Sequence, residues 1–68
     1  MINHVRARRN ERGWTQAQLG DHVGVSRQTI NAIEAGRHDP SLTLAFDLAD
    51  TLDARIDELF EPNREAVS

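Results

Sequence analysis

The sequence predicts an all-α fold of five short helices, and three observations carry that reading. Turn signals fall at Gly13, Gly24, Gly36, Asp39-Pro40 and Pro62. The segments between them are too short for strands joined by crossovers and suit helices of two or three turns. Within those segments apolar residues recur at i, i+4 spacing, one helix face at a time. Only the two ends, near Ile2 and Val67, are free to be extended, so the Met1-Ile2 segment is placed as a short strand against the C-terminal tail.

The first helix is expected from about His4 to Arg12, with Val5 and Arg9 sharing a face and Gly13 closing it. Thr15-Gln16-Ala17-Gln18 fits a capping box, in which the Thr15 hydroxyl accepts an early amide and Gln18 reaches back. This opens a second helix that runs to Val23, with Leu19 and Val23 inward and Gly20 allowing another backbone to come close. After Gly24, Ser26 is a good N-cap for a third helix over about Arg27 to Ala35. Gly36 stands where a left-handed C-cap residue belongs. Ser41 caps a fourth helix, about Leu42 to Leu52, and a fifth, about Ile56 to Phe60, ends before Pro62. The start of the fifth is poorly written: Arg55 replaces a Ser or Thr cap, and Asp53 occupies a turn that Gly makes most easily.

On the fourth helix, Leu42, Leu44, Ala45, Phe46, Leu48, Ala49 and Leu52 cover an arc of roughly 200° at 100° per residue. A one-sided surface helix needs only about half of that. The helix is therefore central to the domain or shared with a partner, and Leu44 and Phe46 at the margins are the residues a central position explains least.

At 68 residues the chain is one small domain with a thin core. It has no cysteine, hence no disulfide framework and no thiolate metal site. His4, His22 and His38 sit on separate segments without ligand spacing, so no metal or other cofactor is expected. Catalysis is not expected either, because there is no Cys or Tyr and no Gly-rich phosphate loop with Lys, and the chain is too short to enclose a pocket. No apolar run approaches a membrane span and no signal-peptide core is visible, which suits a soluble protein of the cytoplasm.

The net charge of −3 argues against a nucleic-acid partner until its distribution is read. Residues 1–37 carry six Arg against Glu11, Asp21 and Glu34, whereas residues 38–68 carry two Arg against eight acids. One end can meet a polyanion while the other stays clear of it.

Residues 15–36, TQAQLGDHVGVSRQTINAIEAG, read as helix, turn at Gly24, helix. The second of these helices turns Ile30 and Ile33 inward. Its other side presents Arg27, Gln28, Asn31, Ala32 and Ala35, with no aliphatic chain longer than Ala. Arg can grip guanine O6 and N7, Gln or Asn can grip adenine N6 and N7, and Ala can touch a thymine methyl. An ordinary solvated face carries Glu and Lys pairs, which are missing here. Trp14, beside a helix cap in an apolar pattern, is assigned to the core rather than to base stacking.

With VRARRNERGWTQAQLG, GVSRQTINAIEAG, DPSLTLAFDLAD and the closing IDELF, residues 4–60 resemble the phage-repressor-like (Cro, lambda-repressor or XRE) helix-turn-helix regulators, in their short single-domain form. The resemblance implies a five-helix lambda-repressor-like domain that binds double-stranded DNA as a homodimer on a palindromic operator, regulating transcription, most simply as a repressor. It implies base reading by Arg27, Gln28, Asn31 and Ala32, and backbone contacts from Gln16, Thr29 and Arg37. The basic residues Arg6, Arg8 and Arg12 are candidates to join the phosphate contacts. Arg9 and Glu34 match positions that form a bracing ion pair. Arg8 departs from the family pattern, where Leu is common, and Arg55 departs from its usual cap. A homodimer needs a surface remote from the recognition helix, and Ile56, Leu59 and Phe60 with the tail (53–68 in all) are nominated, together with Leu44 and Phe46. The alternative class is a protein-interaction module such as the antitoxin of a toxin–antitoxin pair. No effector site is legible.

Overall fold

The computed structural model describes residues 2–62. Its elements follow one another as β1 (Ile2–Asn3), α1 (Val5–Glu11), α2 (Gln16–Val23), α3 (Arg27–Glu34), α4 (Leu42–Thr51), α5 (Ile56–Leu59) and β2 (Phe60–Glu61).

The helix starts are set locally, by caps. The Thr15 hydroxyl accepts the Gln18 amide while the Gln18 side chain accepts the Thr15 N–H, which completes the expected box. Ser26 accepts from the Thr29 amide and Ser41 from the Leu44 amide. At α5 only half a box forms. Glu58 accepts the Arg55 N–H at 3.2 Å, but the Arg55 side chain can only donate and turns to Asp57 at 3.0 Å. Asp53, in the turn before it, holds a left-handed φ of 52°.

The terminal pairing is antiparallel, Ile2 opposite Glu61 and Asn3 opposite Phe60. It therefore uses the end of the fifth helical segment, which stops at Leu59, one residue earlier than the sequence suggested. Met1 and residues 63–68, to which part of that expectation and of the dimer tail applied, lie outside the described residues. Asn3 ties this ribbon down on two sides: its amide donates to the Ile33 carbonyl at 2.8 Å, and its Oδ1 accepts the Val5 N–H at 3.2 Å at the start of α1. His4 and Glu61 form a side-chain pair across the same ribbon.

One apolar cluster joins every helix: Val5, Leu19, Ile30, Ile33, Ala45, Leu48, Ala49, Leu52, Leu59 and Phe60. Leu59 has 0% exposure. That corrects its nomination as a dimer contact: the side chain is wholly enclosed by the domain's own core cluster and has no surface left for a partner. Phe60 is also buried, while Ile56 and Leu44 are half-buried against the cluster. The wide apolar arc of α4 is only partly covered. Leu42 is 71% exposed and Phe46 54%, whereas Ala45, Leu48 and Ala49 face inward.

Trp14 is half-buried rather than fully interior. Its ring stacks on His22 at 4.2 Å between centroids, and the Arg12 guanidinium lies 5.5 Å from its centroid.

Candidate nucleic-acid interface

The angle between α2 and α3 is set by two glycines with different duties. Gly24 ends α2 with a φ of 75°, a region that costs a side chain about 1–2 kcal/mol. Val25 then returns its N–H to the Gly20 carbonyl at 2.9 Å. That brings the turn so close to α2 that a Cβ on Gly20 would stand 2.5 Å from the Val25 carbonyl oxygen. Helix α3 crosses α2 across this contact, buries Ile30 and Ile33 beneath it, and leaves its opposite face to solvent.

On that face Arg27, Gln28, Asn31 and Ala32 line an open concavity with Gln16 from the start of α2 and Arg37 from beyond α3. Six residues expected to read or hold a nucleic acid thus meet on one surface. Among the described residues no side chain engages Arg27 or Gln28 in a hydrogen bond, so both keep their donors for a ligand. Thr29 does not line the concavity, and its hydroxyl pairs with that of Ser26 at 3.2 Å, at the α3 N-terminus.

Behind the concavity Glu34 gathers three helices. Its side chain has 0% exposure, and that of Arg9 has 12%. Arg9 donates to both carboxylate oxygens, Nε to one at 2.7 Å and a terminal nitrogen to the other at 3.1 Å. A further Arg9 nitrogen reaches the Trp14 carbonyl at 2.8 Å. The expected pair is therefore present, bidentate and nearly dry. Two more donors converge on the same carboxylate: Gln16 at 3.1 Å and Arg6 at 3.3 Å. Burial pushes the Glu34 carboxyl up, but the hydrogen bonds from Arg9, Gln16 and Arg6 and the Arg9 charge outweigh it and hold the group below its ordinary value. The hydrogen bond to Glu34 raises Arg9 against the opposing effect of its burial.

The sequence reading missed the Arg6 and Gln16 contacts, and a helical wheel carries the signal for the first. Arg6 and Arg9 lie about 60° apart on α1, close enough to share a partner, whereas Arg8 lies about 160° from Arg6. The structure follows that division. Arg8 and Arg12 line a separate depression with Trp14, Leu52 and Asp53, and Arg8 approaches Glu11 at 4.0 Å. Neither lines the concavity that holds Arg27 and Gln28.

The helix-turn-helix model matches residues 5–59, across both helices of the concavity and the core beneath them. The chain belongs to the XRE type of helix-turn-helix transcriptional regulators. A helix-turn-helix regulator of Archaeoglobus fulgidus is 43% identical over 60 residues, covering 88% of this chain and 86% of the relative. The P22 c2 repressor, solved in complex with a synthetic operator, superposes with a TM-score of 0.83 at 32% identity, over 88% of this chain and 91% of that one. The restriction-modification controller protein C.AhdI of Aeromonas hydrophila gives 0.76 at 32% identity, over 84% and 83%. This family is a class of DNA-binding regulators and not of enzymes. No helix among the described residues is long and apolar enough to cross a membrane. Among the same residues no cluster of three or more His, Asp or Glu could hold a metal ion.

Proposed function

We propose that this helix-turn-helix regulator is a transcriptional repressor of the cytoplasm that binds a palindromic operator in double-stranded DNA as a homodimer. One observation carries the reading: α3 turns Arg27, Gln28, Asn31 and Ala32 outward onto one surface with Gln16 and Arg37 at its edge. A helix of that width enters the major groove, where such side chains distinguish base edges. In this reading Arg27, Gln28, Asn31 and Ala32 face bases, while Gln16, Thr29, Arg37 and Arg6 hold the backbone on either side. Gln16 is aimed by Glu34, which takes one amide hydrogen and leaves the second for a phosphate oxygen. The likeness to the P22 c2 repressor, solved in complex with a synthetic operator, supports DNA binding.

One eight-residue helix reads few bases, and a two-fold doubles the site with half-sites about one helical turn apart. The surface favoured for that contact is the apolar depression lined by Pro40, Leu42, Ala45, Ile56 and Phe60, together with Phe46, which is exposed on the same helix as Leu42. It shares no residue with the concavity on α3 and lies in the acidic half of the chain. In vitro selection from random duplex DNA tests the reading. It should yield a symmetric consensus, and absence of any enriched sequence would overturn it.

A further inference from the structure

The end of α3 places a cation on one of the base-reading side chains. Gly36, with a φ of 76°, reverses the chain after Ala35, and the Arg37 N–H returns to the Ala32 carbonyl at 3.0 Å. This motif turns the Arg37 side chain back along the exposed face of α3, where a terminal guanidinium nitrogen donates to Asn31 Oδ1 at 2.7 Å. A guanidinium has donors only, so the atom facing it must be the amide oxygen, and the direction of the Asn31 amide is settled by chemistry. The pairing of Asn with adenine needs both ends of the amide, Oδ1 to accept from N6 and Nδ2 to donate to N7. Here one of the two lone pairs of Oδ1 is taken by a charged donor of the protein itself, which draws electron density from the carbonyl, weakens the other lone pair as an acceptor and strengthens the Nδ2 hydrogens as donors.

Resting on the DNA-reading function above, we propose that Arg37 is a positioning residue for specificity: by holding the Asn31 carbonyl it makes Asn31 a donor in the groove, which selects guanine over adenine at the base it faces. Guanine offers two major-groove acceptors, N7 and O6, and no donor, whereas adenine sets the N6 amino group beside its single acceptor. Arg27 and Arg37 in the same concavity add a positive potential that favours the same edge. Arg37 has five donor hydrogens and spends one on Asn31, so its contact with a phosphate and its hold on Asn31 coexist.

The test is in vitro selection with the full chain, run in parallel for the wild type, Asn31→Ala, Arg37→Met and Arg37→Lys. Asn31→Ala identifies the position that Asn31 reads, as the one at which preference is lost. The wild type should enrich guanine there by about tenfold over adenine, the scale of one good base contact. Arg37→Met, which removes the donor and keeps the stem, should bring that ratio below about twofold while the bases read by Arg27 and Gln28 stay enriched. Arg37→Lys, which keeps a charged donor, should retain most of the guanine preference. A purely structural or backbone role for Arg37 would lower affinity on all sequences and leave base frequencies unchanged, and that result overturns the proposal. Enrichment of adenine by the wild type overturns it too, while leaving DNA reading intact. Enrichment of no sequence at all overturns both.

Discussion

Replacing Glu34 should cost this domain a large part of its stability. Glu34→Ala removes the acceptor of four hydrogen bonds, two from Arg9 and one each from Gln16 and Arg6. Arg9 is left with a charge in a nearly dry site, since its side chain is only 12% exposed. Breaking a buried pair in this way costs about 3–5 kcal/mol. The carbonyl of Trp14 still accepts from Arg9, so a loss of about 2–4 kcal/mol is expected, a large part of the roughly 3–10 kcal/mol available to a domain of this length. At about 4–8 °C per kcal/mol the midpoint of thermal unfolding should fall by more than about 8 °C. Glu34→Gln keeps one acceptor and the shape, and should lose about half as much. Urea unfolding of Glu34→Gln, Arg9→Met and the double variant at pH 7 should give a coupling of about 0.5–3 kcal/mol. The same variants give the pH dependence. The folded state holds the Glu34 carboxyl below its ordinary value of 4.5, so the unfolded chain binds the extra proton first. The stabilisation is complete above that value and is lost as pH falls through the lower folded one. The gap between wild type and Glu34→Gln should therefore narrow from about pH 4.5 downward. Additive single effects, or a gap independent of pH in that range, would refute the reasoning.

Gly20→Ala should cost about 1–3 kcal/mol, because the added methyl meets the Val25 backbone and the turn must move. It should weaken DNA binding beyond its effect on stability, and a variant destabilised but fully able to bind would show that the α2–α3 angle is not what the glycine protects. Phe46→Asp should convert a dimer to a monomer in light scattering and remove any concentration dependence of the unfolding midpoint, since the ring is 54% exposed in the single chain; a dimer that persists would move the interface elsewhere. In a salt titration of operator binding, Arg8→Ala and Arg12→Ala should leave the slope of log K against log salt unchanged. Arg6→Ala should flatten it by about 2 for a dimer that loses two phosphate contacts, and a flattening by Arg8→Ala instead would restore Arg8 to the interface.

The parts of this fold that were legible in the sequence are those decided within a few residues. Thr15 with Gln18, Ser26 and Ser41 satisfy amides two or three residues away, so the helix starts could be read from residue type and spacing alone. The same is true of the left-handed positions at Gly24 and Gly36 and of the awkward turn at Asp53, which does take a positive φ. The Arg9–Glu34 pair spans 25 residues and was legible only through likeness to a family. The convergence of Gln16 and Arg6 on the same carboxylate depends on how three helices cross, which no local pattern encodes. Leu59 was misplaced for a related reason. In a helix of four residues, Ile56 and Leu59 look equally apolar, and only the packing of α4 and the terminal ribbon decides which one is enclosed. Helical periodicity alone separates Arg8 from Arg6, about 160° apart on α1, whereas Arg12 lies just beyond that helix. The Arg37–Asn31 contact needed the left-handed Gly36 and the rotamer of a long side chain together.

Base reading by α3 is decided at Arg27. Affinity of the wild type and of Arg27→Ala should be measured on the selected operator, on operators changed at one symmetric pair of positions, and on unrelated duplex, all at one salt concentration. Arg27→Ala should cost about 1–3 kcal/mol per half-site on the operator and abolish discrimination at that one pair, with little change on unrelated DNA beyond the lost charge. An equal loss on every duplex, with discrimination intact at all positions, would contradict base reading and make Arg27 a backbone contact.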